Sequence, residues 1–126
     1  MFPKILRFII LEKNKDFRLS LKTILNQIEY FEVVADFDDF DSFIFKDKLK
    51  FNSILLDLNI GTYKCVEFIK KMKEYSQDIK IILLSDFKEL IYSEAAVRAG
   101  AEGVIFKSSD KSIFEKKIRQ FTAFSE

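Results

Sequence analysis

The sequence predicts an α/β fold, a doubly wound (βα)5 flavodoxin-like sandwich on a five-stranded parallel sheet. Three observations carry that expectation. The strongest β-type runs are almost continuously apolar, as strands covered on both faces are, where a half-solvated strand would alternate. Segments with helical spacing lie between these runs. At 126 residues, 48% apolar and 33% charged, the chain suits one domain with a single core and a solvated shell, spanning 1–126.

The elements follow in order. Ile5–Leu11 reads as the first strand. Phe17, Leu21, Ile24, Leu25 and Ile28 then recur at helix spacing, with Asp16 as the expected N-cap. Phe31–Ala35 is the second strand, and Phe40, Phe43 and Ile44 offer one apolar face to a helix over Asp38–Leu49. Asn52–Asp57 is the third strand, followed by a helix carrying Cys65, Phe68, Ile69 and Met72 on its inner side. Ile79–Leu84 is the fourth strand. A helix from Asp86 to Arg98 closes on Ala99-Gly100, where glycine suits the left-handed C-terminal position. Gly103–Lys107 is the fifth strand, and Ser112–Phe124 the last helix, with Phe114, Ile118 and Phe121 on one stripe.

Right-handed crossovers restrict such a chain to few topologies, and the order 2-1-3-4-5 is the expected one. Sites in these sheets form beyond the carboxyl ends of the strands, beside the switch point between strands 1 and 3. The residues there are Glu12 and Lys13, Asp57, Ser85 and Lys107.

Composition removes several function classes. Twenty-one basic and twenty acidic side chains leave a net charge of +1, without the clustered basic surplus that direct nucleic-acid binding requires. The longest apolar runs are too short to span a bilayer, and the N-terminal run breaks at Glu12-Lys13, unlike a signal peptide. A single cysteine, Cys65, allows no internal disulfide and suits a reducing, cytoplasmic compartment; its simplest role is in the core. Histidine is absent, and with it the commonest general base and zinc ligand. The lysines of 70–73 and of 111–119 read as solvated helix faces.

Five landmarks stand in order at one end of the predicted sheet: Phe8-Ile9-Ile10-Leu11 before a charged pair, Ile54-Leu55-Leu56-Asp57, Ile81-Ile82-Leu83-Leu84-Ser85, Ala99-Gly100-Ala101-Glu102-Gly103, and Lys107. With these the chain resembles, over essentially its whole length, the receiver domain of two-component response regulators. The resemblance implies that Asp57 is the phosphoacceptor, a carboxylate nucleophile. It implies that Lys107 pairs with Asp57 and later with phosphoryl oxygens, and that the Ser85 hydroxyl reorients on switching. Glu12, Asp57 and Asn59 match positions that hold magnesium in the family, Asn59 through its carbonyl.

Several positions depart from the family pattern. Lys13 stands where the second acid, a direct magnesium ligand, is usual. Glu12 and Asp57 therefore face Lys13 and Lys107, and the formal sum is zero. Magnesium seeks carboxylate and other hard oxygen ligands, so its binding is expected to be weakened. Lys13 is expected either to pair with Asp57 or Glu12 and stand in partly for the cation, or to swing out into solvent and leave the metal site crippled. Gly61 falls where proline is usual, Lys64-Cys65 replace an Asp-Gly turn, Ser108 replaces a proline, and Val104 occupies the aromatic switch position.

The reading is a signal-transduction receiver, atypical in its metal dependence. The alternative is a phosphorylation-independent pseudo-receiver acting as an interaction module. Catalysis is limited to self-phosphorylation and dephosphorylation at Asp57. A flavodoxin-like or phosphatase-type enzyme is disfavoured, because no glycine-rich phosphate loop follows the first strand. The implied partners are a sensor histidine kinase or small phosphodonor and an output domain or partner protein. The latter would meet the last two helices and last strand, with a homodimer as a further arrangement. The chain reads either as free-standing or as the front of a longer regulator.

Overall fold

The computed structural model describes residues 4–43 and 50–123, apart from the side chain of Glu89. Strands β1 (Leu6–Leu11), β2 (Phe31–Phe37), β3 (Ser53–Asp57), β4 (Lys80–Ser85) and β5 (Gly103–Phe106) pair in parallel, in the order β2-β1-β3-β4-β5. The fold class and strand order are those the sequence predicts. Four α-helices cover the sheet among the described residues: α1 (Lys15–Asn26), α2 (Thr62–Tyr75), α3 (Ser93–Ala99) and α4 (Lys111–Phe121).

Alternate side chains of the central strands feed two apolar clusters. Ile9, Leu11, Ile54, Leu56, Ile81 and Leu83 face Cys65, Ile69 and Met72 of α2 and Ala96 of α3. Phe8, Ile10, Leu55, Ile82, Leu84 and Ile105 face Leu21 and Leu25 of α1 and Phe114 and Ile118 of α4. Burial on both sides explains the continuous apolar runs that mark β1, β3 and β4.

Helix boundaries differ from expectation where polar side chains decide them. Asn14, not Asp16, caps α1, its side chain accepting from Phe17 N–H at 2.9 Å; Asp16 sits inside the first turn. The helix expected from Asp86 starts late. Lys88 N–H donates to Asp86 Oδ1 at 3.0 Å, a local turn that competes with helix, and a 3-10 segment over Glu89–Tyr92 precedes α3. Residues 38–43 of the expected helix over Asp38–Leu49 form a turn, in which Ser42 donates to Asp39 and Asp38. The remainder, with Ile44, lies outside the described residues, as does Phe124 at the end of the last predicted helix. Gly100 ends α3 at φ +129°, as its C-terminal role requires.

The register brings four strand ends to one edge. Leu11 pairs with Leu56, Asp57 with Leu84, and Ser85 with Phe106. Lys107 N–H then donates to the Ser85 carbonyl at 2.9 Å, carrying the lysine past the end of β5 toward Asp57.

Candidate functional site

Asp57 ends β3 and is fully buried. Its Oδ1 lies 2.8 Å from Lys107 Nζ and accepts from Asn59 N–H at 2.9 Å; its Oδ2 accepts from the backbone N–H of Lys13 at 3.2 Å. Glu12, one residue beyond β1, is also fully buried. Its Oε1 lies 3.0 Å from Lys107 Nζ and accepts from Asn14 N–H at 3.2 Å, while Oε2 is buried with no partner among the described residues. The Lys107 ammonium thus bridges both acids, and its other side rests 5.5 Å from the centroid of the Phe17 ring. An open pocket of about 510 Å³ lies above, lined by Glu12, Lys13, Asn14, Phe17, Asn59 and Lys107.

The pairing expected of Lys13 is corrected here. Among the described residues its exposed ammonium makes no ion pair with Asp57 or Glu12, and only its backbone N–H reaches Asp57. Lys107 makes both contacts instead, because β5 delivers it to the strand ends from within the sheet. Lys13 leaves β1 toward solvent and lines the rim.

Burial, first, and then the nearby charge of Asp57 push the Glu12 carboxyl up to about 7, against smaller opposing contributions from Lys107 and the Asn14 N–H. Burial acts to lower the Lys107 pKa, but its hydrogen bonds to Asp57 and Glu12 more than offset this and raise it. Cys65 reaches back from α2, its thiol donating to the Asp57 carbonyl at 3.5 Å. Burial and the charge of Asp57 push that thiol up to about 12, so it stays protonated.

Ser85 is fully buried at the end of β4, and its hydroxyl donates to the Asp86 carbonyl at 2.7 Å, away from Asp57. Asn59 is exposed, with its N–H committed to Asp57. Val104 packs into the cluster beneath α2 and α3. Gly61 adopts φ +138°, a backbone conformation closed to proline. The Lys107–Ser108 bond is trans.

The family model for the response regulator receiver domain matches residues 8–119. The chain belongs to that family. Receiver domains serve two-component signal transduction and are in general not catalytic enzymes. The Fimbriae Z protein of Escherichia coli (strain K12) is 26% identical over 107 residues, covering 82% of this chain and 50% of that protein. The transcriptional regulatory protein DegU of Brevibacillus brevis is 28% identical over 106 residues, covering 83% and 45%. The chain therefore spans about half the length of these curated relatives. A DNA-binding response regulator of the LuxR family from Staphylococcus aureus shares the fold, with a TM-score of 0.80 at 21% identity over 94% of this chain and 100% of that one.

Receiver domains typically use magnesium in phosphorylation. The carboxylate oxygens at this site come from Glu12 and Asp57. Of the four carboxylate oxygens of Glu12 and Asp57, three accept N–H or ammonium donors and one, Glu12 Oε2, has no partner among the described residues. No group of three or more histidine, cysteine or acidic residues is arranged to hold a metal ion among the described residues.

Two contributors escaped sequence reasoning. Phe17 was read only as a core position of its helix. Arg18, whose guanidinium reaches the Glu12 carbonyl at 2.8 Å, was not singled out. Its signal was present: a cation in the first turn of a helix opposes the macrodipole and therefore asks for another partner.

Proposed function

We propose that this receiver domain takes a phosphoryl group on Asp57 with little dependence on magnesium, Lys107 and Lys13 supplying positive charge that a divalent ion would otherwise provide. The observation that carries the reading is the Lys107 ammonium, 2.8 Å from Asp57 and 3.0 Å from Glu12, in a pocket whose rim bears a second lysine in place of an acid.

In this mechanism an oxygen of ionised Asp57 forms a bond to phosphorus as the bond from phosphorus to the donor's leaving group breaks. The leaving group departs with that electron pair. Lys107 exchanges its hold on Asp57 for the phosphoryl oxygens, the exposed Lys13 turns inward to them, and Ser85 gives up the Asp86 carbonyl to donate to the new group. A sensor histidine kinase or a small phosphodonor supplies the group, since these 126 residues hold no histidine of their own.

Output runs through α3, β5 and α4 to an output domain, a partner protein or a second copy. Support comes from apolar side chains on that side: Phe87 and Ile91 are 84% and 74% exposed, and Phe87 stacks on Phe106 of β5 at 6.4 Å.

Incubation with acetyl phosphate, followed by intact-mass analysis, tests the reading. One phosphoryl group is expected on the wild type and none on Asp57→Asn, at rates little changed by a chelator. A rate that collapses with the chelator contradicts it.

A second reading, a phosphorylation-independent interaction module, draws on the same ion pairs, since a lysine already joins the two acids in the resting site. It predicts no labelling, and partner affinity indifferent to Asp57→Asn.

A further inference from the structure

The peptide unit joining Glu12 to Lys13 is held from both sides. Its N–H donates to Asp57 Oδ2 at 3.2 Å, and its carbonyl accepts from Arg18 Nη1 at 2.8 Å. Arg18 lies in the first turn of α1, and its side chain is 15% exposed. Its Nε donates to Asp36 Oδ1 on β2 at 3.3 Å, and Lys22 pairs with the other oxygen of Asp36 at 3.3 Å. A continuous chain of contacts therefore runs from β2, through a helix side chain and one peptide plane of the loop after β1, to the carboxylate at the end of β3.

The two oxygens of Asp57 are unequal. Oδ1 carries the Lys107 ammonium and the Asn59 N–H, whereas among the described residues Oδ2 accepts from the Lys13 N–H alone. The orientation of Oδ2 thus depends on that peptide. A guanidinium on the carbonyl fixes the plane, and as a charged donor it polarises the amide and strengthens donation from its N–H. Placing a cation in the first turn of α1 runs against the helix dipole, so its position is explained by this contact and by Asp36 rather than by helix stability.

We propose that Arg18, held by Asp36, is a positioning residue for Asp57, acting through the Glu12–Lys13 peptide to set the orientation of Oδ2, the oxygen that attacks the phosphoryl group. The kinetic part rests on the reading of Asp57 as acceptor; the positioning part stands without it.

The test uses Arg18→Gln, Arg18→Lys and Asp36→Asn, with Lys22→Ala as a control that removes only the exposed pair. Amide hydrogen exchange and proton shifts by NMR are read at Lys13, with Leu83 in β4 as an internal reference. Arg18→Gln is expected to accelerate Lys13 exchange about tenfold and to move its amide proton upfield, with Leu83 unchanged. Arg18→Lys restores part of the effect, since an ammonium reaches one partner where the planar guanidinium holds two. Asp36→Asn falls between, and Lys22→Ala matches the wild type.

In acetyl phosphate labelling, Arg18→Gln is expected to lower the saturated rate about tenfold while leaving the half-saturating donor concentration unchanged. A Lys13 amide that behaves as in the wild type overturns the proposal. So does a uniform acceleration at Lys13 and Leu83, which would make Arg18 merely a stabilising residue. Absence of labelling in the wild type overturns the acceptor reading alone, and Lys13 exchange then still decides the positioning role.

Discussion

Glu12 carries the least satisfied atom of the site, a buried carboxylate oxygen with no partner among the described residues, beside the buried acid Asp57. Its folded-state pKa of about 7 lies above the ordinary value of 4.5. The folded protein therefore holds this proton more tightly than the unfolded chain does. That contribution to stability is fully present below 4.5 and is lost as pH rises through about 7, where Glu12 must ionise next to Asp57. Glu12→Gln keeps an acceptor for Lys107 and removes the titration. Urea unfolding should show the wild-type midpoint falling relative to the variant between about pH 5 and pH 8. Parallel midpoints across that range would contradict the assignment.

At the scale of elements, the loop between β1 and α1 organises the site, and the cap at Asn14 holds it. Asn14→Ala removes the side chain that accepts from Phe17 N–H and should cost about 1 kcal/mol, read from urea unfolding. A cost as small as that of an exposed surface substitution would deny the cap its role. Sequence reading and structure part company at such places for identifiable reasons. Asn14 and Asp16 both have side chains suited to capping, and only backbone direction chooses between them. The late start of α3 depends on the Asp86 side chain accepting a backbone N–H, which periodicity does not register. The strands were legible because burial on both faces writes continuous apolar runs into β1, β3 and β4. In the sequence the family resemblance assigned Lys107 to Asp57, and charge alone also offered Lys13 to Asp57 or Glu12. The register of β5, together with the outward path of the chain after β1, decides for Lys107.

Across the whole molecule the formal charge is near zero, and at the site the buried Glu12 and Asp57 meet Lys107 while the exposed Lys13 lines the rim. The five landmarks made the family and the location of the pocket legible. The polar chain through Arg18 was not, because it joins residues from separate elements that carry no shared motif. The central claim concerns charge balance: lysine at position 13 removes a metal ligand and adds a cation. Magnesium titration of the wild type and Lys13→Asp, followed by chemical shifts of the Asp57 and Asn59 amides, tests it most directly. The wild type is expected to show no saturable response at millimolar magnesium, and Lys13→Asp to gain one. Saturation in the wild type at those concentrations, or no gain in the variant, would contradict the account.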